Sequence, residues 1–150
     1  MEYTAKKFAD LNIHELYEIL RVRNEVFVVE QACIYLDLDD KDQNGYHLYY
    51  SDHGKIQAYL RILEKGQTFD EISIGRVLVT QQARGSGLAR ELMIKAISYI
   101  THDLNEKTIR ISAQEYLLEF YLSLGFKQVS EVYLEDDIPH IEMLFNSESK

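Results

Sequence analysis

The chain has 150 residues, one cysteine, one proline and a formal net charge of −9. That length suits a single domain over residues 1–150 with a full hydrophobic core, and a content of 46% hydrophobic and 27% charged residues is ordinary for a globular protein. The surplus of carboxylates argues against nucleic acid and anionic membranes as partners and favours cationic ligands such as amines. Cys33 stands alone, which excludes an intrachain disulfide and suits a reducing compartment. No signal-like apolar run opens the sequence, and no stretch approaches the roughly 20 apolar residues of a membrane span. A cytoplasmic location is the expectation.

The first clear element is a helix. Asn12 can cap it, Glu15 follows three residues on as in a capping box, and Leu16, Ile19, Leu20, Val26 and Phe27 recur at helical spacing. Asp37 to Gly45 reads as an acidic, solvated loop. Tyr46 to Tyr50 and Ile56 to Leu63 read as two strands joined by a turn at Asp52-His53-Gly54-Lys55. Ile72 to Val79 is a third strand, rich in β-branched residues. A glycine-bearing turn, Arg84-Gly85-Ser86-Gly87, leads into a helix from about Leu88 to Ile100, with Ala89, Leu92, Met93, Ala96, Ile97 and Ile100 as its apolar stripe.

Thr108 to Ala113 is the next strand. Leu117, Phe120, Tyr121 and Leu124 form the buried face of a short helix closed by Gly125. Lys127 to Tyr133 and His140 to Phe145 read as two final strands around a turn at Asp136 to Pro139. The order is helix, antiparallel strands, then strand-helix-strand-helix-strand-strand. It predicts an α/β (α+β) fold, a mixed, mostly antiparallel sheet with helices on both faces.

The chemistry concentrates between Val77 and Glu91, where a strand ends, a loop supplies Arg84-Gly85-Ser86-Gly87-Leu88-Ala89, and a helix begins at once. A helix N-terminus presents unpaired N–H groups and a partial positive charge, so it attracts phosphate. Gly85 and Gly87 let phosphate oxygens approach the backbone, Arg84 adds a cation, and Ser86 a hydroxyl donor. Together these suit a pyrophosphate. A P-loop is excluded because Leu88-Ala89 stands where Lys and Ser or Thr are needed. The dinucleotide fingerprint fails because its third glycine falls on Arg90. A ligand-free strand-to-helix turn remains the plain alternative.

One more pattern matches: Arg or Gln, two residues, Gly, one residue, Gly or Ala, met here by Arg84, Gly87 and Ala89. With it go the segments Leu20 to Gln31, Ile74 to Val79, Phe120 to Phe126 and Ile138 to Met143. In that order, over almost the whole chain, the sequence resembles the ElaA-like branch of the GNAT N-acetyltransferases. The resemblance implies acetyl-CoA as co-substrate, no metal, and transfer of acetyl to a primary amine on a small molecule or a protein. It implies that the backbone of Val77, Leu78 and Val79 pairs with the pantetheine arm, and that the loop from Arg84 to Ala89 takes the pyrophosphate. An N–H near Val79 would polarise the thioester carbonyl. Gln114 occupies the place of a cofactor-contacting Asn, and Tyr121 that of the general acid, a phenol with an ordinary pKa near 10.

The base stays open. Where some relatives carry a Glu on the strand before the loop, this chain has Gly75 followed by Arg76. Glu30 and His140 are the candidates, and water is a third route. Each has a bland reading as well: Tyr121 as core, Glu30 as a solvated loop charge, His140 as a strand-edge residue. Asp37 and Asp39 are expected to attract a cationic acceptor. Asp40 to Gly45 begins like a calcium loop, but Ser51 stands where the bidentate Glu belongs. No zinc spacing surrounds Cys33. A homodimer is compatible with the sequence. The competing functional classes are a non-catalytic acyl-CoA sensor of the same fold and a nucleotide-binding regulatory domain.

Overall fold

A computed structural model describes residues 1–148 of the chain. Its strands are β1 (Glu2–Lys7), β2 (Gly45–Asp52), β3 (Lys55–Leu63), β4 (Ile72–Val79), β5 (Thr108–Gln114), β6 (Lys127–Gln128), β7 (Tyr133–Glu135) and β8 (Ile138–Asn146). They form one sheet in the order β1-β2-β3-β4-β5-β8-β6, with β7 also on β8. Neighbours are antiparallel except β4 and β5, which run parallel.

Helix α1 (Ile13–Arg23) starts with the expected capping box: the Asn12 side chain accepts the Glu15 N–H at 2.8 Å, and the Glu15 carboxylate accepts the Asn12 N–H at 2.9 Å. Wider π turns continue it over Asn24–Glu30. Its spacing puts Ile19, Val22 and Val26 against Tyr49, Ile56, Tyr59 and Leu78 on one face of the sheet. Helix α2 (Leu88–Ser98) packs Leu92, Met93 and Ala96 on the opposite face, with Leu48, Leu60, Ile62 and Ile109. Each fully buried leucine, isoleucine or methionine there contributes about 2 kcal/mol. Helix α3 (Leu118–Ser123) ends as predicted at Gly125 (φ 101), where Phe126 N–H returns to Tyr121 O and Gly125 N–H to Leu122 O.

Three elements differ from expectation. β1 pairs along β2 from Glu2↔Ser51 to Lys7↔Tyr46, although its own residues carry no clear alternation. The predicted helix to Ile100 is α-helical only to Ser98 and winds on in π turns through Asp103. The predicted strand from Lys127 to Tyr133 is broken: β6 and β7 lie on the same edge of β8, four residues against two between them. The Glu142 N–H donates to Ser130 Oγ (2.8 Å) rather than to a backbone carbonyl, and that side chain interrupts the ladder. Among the described residues no helix is long and apolar enough to cross a membrane.

Candidate active site

Strands β4 and β5 pair only at Ile72–Ile109 and Ser73–Arg110, then separate. The cause lies on the other edge of β4. Against β3, Tyr59 faces Leu78 and Arg61 faces Gly75, so β4 carries one residue too many at this point. Arg76, at φ 53, lies within this bulge. The extra residue reverses the alternation: Ile72 and Ile74 face α2, Leu78 faces α1, and Val77 and Val79 take over the α2 side. A bulge also increases local twist and bends its strand, which turns β4 away from β5. The gap is a cleft of about 790 Å³ between β4 and the end of β5.

The polarity of the cleft wall follows from one hydrogen bond. Thr80 N–H donates to Gln57 O of β3 at 2.9 Å, flanking the Ala58–Val79 pair. In an antiparallel ladder this makes Val79 a non-hydrogen-bonded position, so its N–H and C=O point away from β3 and into the cleft.

At the top of β4 the loop rises through Gln81–Ala83 and Arg84 to Gly85 (φ 84) and Gly87 (φ 81). A Cβ on either glycine would meet nothing within 4 Å. Glycine is required here by backbone conformation, and the space it leaves is an open hollow. Gly87 precedes α2 with no side-chain cap, leaving the first-turn N–H groups free to bind an anion. A cavity of about 260 Å³ lies there, bordered by Val79, Arg84, Gly85, Gly87, Leu88, Ala89 and Phe120. Ser86 does not offer the expected donor, because its hydroxyl donates to Ala83 O at 2.7 Å and braces the turn. Arg84 Nε donates to Val79 O (3.1 Å), and its Nη1 pairs with the Glu30 carboxylate at 2.5 Å.

Tyr121 is buried, held edge-on between Phe120 (5.1 Å, 73°) and Phe126 (5.9 Å, 76°), and it borders the cleft. Among the described residues its hydroxyl has no hydrogen-bond partner. Burial, and then Tyr116, raise its pKa above the ordinary phenol value, so it stays protonated at neutral pH. Gln114 ends β5 opposite His140 of β8, and both border the cleft. His140 Nδ1 lies 2.7 Å from Ile138 O. A carbonyl only accepts, so Nδ1 carries the proton of the neutral ring and Nε2 is the basic nitrogen. Glu135 stands 3.4 Å from Nε2. The cleft therefore brings together Val77, Leu78, Val79, Arg84, Ala89, Gln114, Tyr121, His140 and Glu30.

The acidic loop is solvated only in part, at Leu38, Asp40, Gln43 and Asn44. Asp37 and Asp42 are buried beside Arg23, which is fully inaccessible: Nε reaches Asp37 at 2.8 Å and Nη1 reaches Asp42 at 2.6 Å. Arg61 bonds Asp39 (2.8 and 2.7 Å) and Asp42 (2.8 Å), and Arg76 bonds Asp37 Oδ1 (2.8 Å) and Asp37 O (3.0 Å). Burial pushes the Asp39 carboxyl up, but Arg61 and Arg76 outweigh it and hold the group well below the usual range. Asp42 is lowered in the same way by Arg23 and Arg61. Asp37 and Asp39 are thus engaged by arginines rather than free to attract an acceptor, which corrects the expectation. Three arginines from α1, β3 and β4 were not singled out as functional in the sequence, and each lies far from its partner along the chain. Among the described residues no cluster of His, Cys, Asp or Glu could hold a metal ion.

A sheet opened between two parallel strands, beside an uncapped helix N-terminus, defines the acyl-CoA N-acyltransferase fold. The sequence model described as "Acetyltransferase (GNAT) domain" matches residues 8–146, and the chain belongs to the GNAT family, in its ElaA-like branch. It is 41% identical over 145 residues to a UPF0039 protein of Schizosaccharomyces pombe and 39% identical over 145 residues to ElaA of Escherichia coli, covering 95% of both chains in each comparison. Among solved structures, an acyl-CoA N-acyltransferase of Pseudomonas aeruginosa superposes with a TM-score of 0.91 at 41% identity, over 97% of this chain and 99% of that one. Escherichia coli ElaA gives 0.90 at 37%, over 97% and 100%.

Proposed function

We propose that this protein transfers an acetyl group from acetyl-CoA to a primary amine by direct attack within a ternary complex. The observation that carries this reading is the meeting of two unpaired backbone donors in one cleft: the Val79 N–H on the open edge of β4, and the uncapped first turn of α2. The left-handed glycines and free amides suit the coenzyme's diphosphate, and the open edge of β4 through Val77, Leu78 and Val79 suits its amide-bearing arm. Gln114, at the end of β5, borders the same cleft. Acetyl-CoA supplies the activated acyl group.

The residues divide the work. The Val79 N–H stabilises the carbonyl oxygen as negative charge develops there. Tyr121 donates its proton to the departing sulfur, and its apolar setting keeps that proton in place until thiolate forms. His140 Nε2 takes the proton of the attacking amine, and Glu135 steadies the resulting imidazolium. The acceptor is a primary amine of a small molecule or a protein.

The test is thiol release from acetyl-CoA across a panel of amines, with Tyr121→Phe beside the wild type. This variant keeps the ring between Phe120 and Phe126. Its kcat should fall by about 10²–10⁴-fold with coenzyme affinity unchanged. Unchanged kcat removes Tyr121 from the mechanism, and no thiol release with any amine favours a non-catalytic acyl-CoA sensor.

A further inference from the structure

The contact between Arg84 and Glu30 joins the two halves of the cleft. Arg84 belongs to the anion-binding loop and borders both cavities, while Glu30 ends the π turns after α1 and borders only the larger one. Their side chains meet at 2.5 Å and are 43% and 33% exposed. Ion pairs this exposed are worth little, because water screens them. A phosphate in the neighbouring hollow offers Arg84 a stronger, bidentate partner.

Glu30 also differs from Asp37, Asp39 and Glu135. Asp39 is fixed by Arg61 and Arg76, and Asp37 by Arg23 and Arg76, so both carboxylates are already paired where this network borders the cleft. Glu135 faces His140. Among the described residues Glu30 is paired with Arg84 alone, the cation that the coenzyme would claim.

We infer that the Arg84–Glu30 pair is exchanged on coenzyme binding: the diphosphate takes Arg84, and the released Glu30 carboxylate becomes the countercharge for the acceptor's ammonium group. The inference rests on the coenzyme-binding reading above. It assigns Glu30 a role in holding the amine, distinct from the proton transfer given to His140, and it makes the amine bind after the coenzyme. Before exchange, Glu30 is neutralised and attracts a cation weakly. Afterwards it faces the cleft unpaired, beside the sulfur end of the bound arm.

Titration with coenzyme A itself tests the exchange, using wild type, Glu30→Gln, Arg84→Ala and the double variant, each checked for fold by circular dichroism. Both positions are partly exposed, so neither substitution removes core packing. Glu30→Gln should bind coenzyme A about two- to fivefold more tightly, since a competitor for Arg84 is gone. Arg84→Ala should bind more weakly, and adding Glu30→Gln to it should change nothing beyond twofold. In steady state, Glu30→Gln should lower the KM for acetyl-CoA while raising the KM of the amine that turns over by tenfold or more. Coenzyme affinity unchanged or weakened in Glu30→Gln overturns the exchange, because the carboxylate would then merely orient Arg84. Failure of the folded wild type to bind coenzyme A at all overturns the functional reading together with it.

Discussion

Gly87 and Gly54 make a matched pair of substitution sites. Gly87 has φ 81 and Gly54 has φ 77, and an added Cβ at either would meet nothing within 4 Å. An L-residue in the left-handed region costs about 1–2 kcal/mol, and alanine's smaller unfolded-state entropy returns a few tenths, so each Gly→Ala change should cost about 1 kcal/mol. In a chain of this size that lowers Tm by about 2–4 °C. The two sites part company over ligand. Gly54 sits in the β2–β3 turn, whereas a methyl group on Gly87 enters the hollow proposed to take the coenzyme's phosphates beside the first amides of α2. Losing one charge-assisted hydrogen bond there, about 1.5–3 kcal/mol, should weaken coenzyme A binding by about ten- to a hundredfold. Thermal unfolding without ligand and calorimetric titration with coenzyme A measure both quantities. Equal Tm losses with affinity loss only in Gly87→Ala is the expected pattern. Coenzyme binding by Gly87→Ala within twofold of the wild type would refute the reasoning.

Arg23→Met should leave Asp37 and Asp42 buried with one cation fewer, costing about 3–5 kcal/mol and lowering Tm by about 10 °C. Differential scanning calorimetry reads this, and a loss below about 1 kcal/mol would show that Arg61 and Arg76 suffice. His47 is fully buried, its Nε2–H donating to Asp42 O (2.9 Å) and its Nδ1 accepting from Tyr59 (2.7 Å), which is a neutral ring. Burial holds its pKa below the ordinary 6.5, against the pull of Asp42. The unfolded chain then binds the proton first. Stability is complete above about pH 6.5 and falls as pH drops below it, by up to about 1.4 kcal/mol per unit, until the folded pKa is reached. Urea unfolding at pH 7 and pH 5.5 should show that loss in the wild type and a smaller one in His47→Gln.

Local chemistry made much of this fold readable. The capping box at Asn12–Glu15, the β-branched run from Ile72 to Val79 and the Gly125 stop are short-range signals, and all three stand where the residues put them. The glycine-bearing turn before α2 was legible for the same reason, since two glycines before a helix are a backbone statement. What could not be read depends on pairing between distant segments. Nothing in Gly75-Arg76-Val77 announces a bulge, because arginine has no preference for φ 53; the register with β3 and the Asp37 latch impose it. The run from Asp37 to Asp42 looked solvated because its three arginines come from α1, β3 and β4. Ser130 broke a strand through a hydroxyl that no periodicity records.

A crystal structure with acetyl-CoA tests the central claim most directly. The account predicts diphosphate oxygens within hydrogen-bond distance of the amides from Gly85 to Ala89, the thioester carbonyl on the Val79 N–H, and the sulfur beside the Tyr121 hydroxyl. A coenzyme bound elsewhere, or a thioester remote from Val79 and Tyr121, would contradict it.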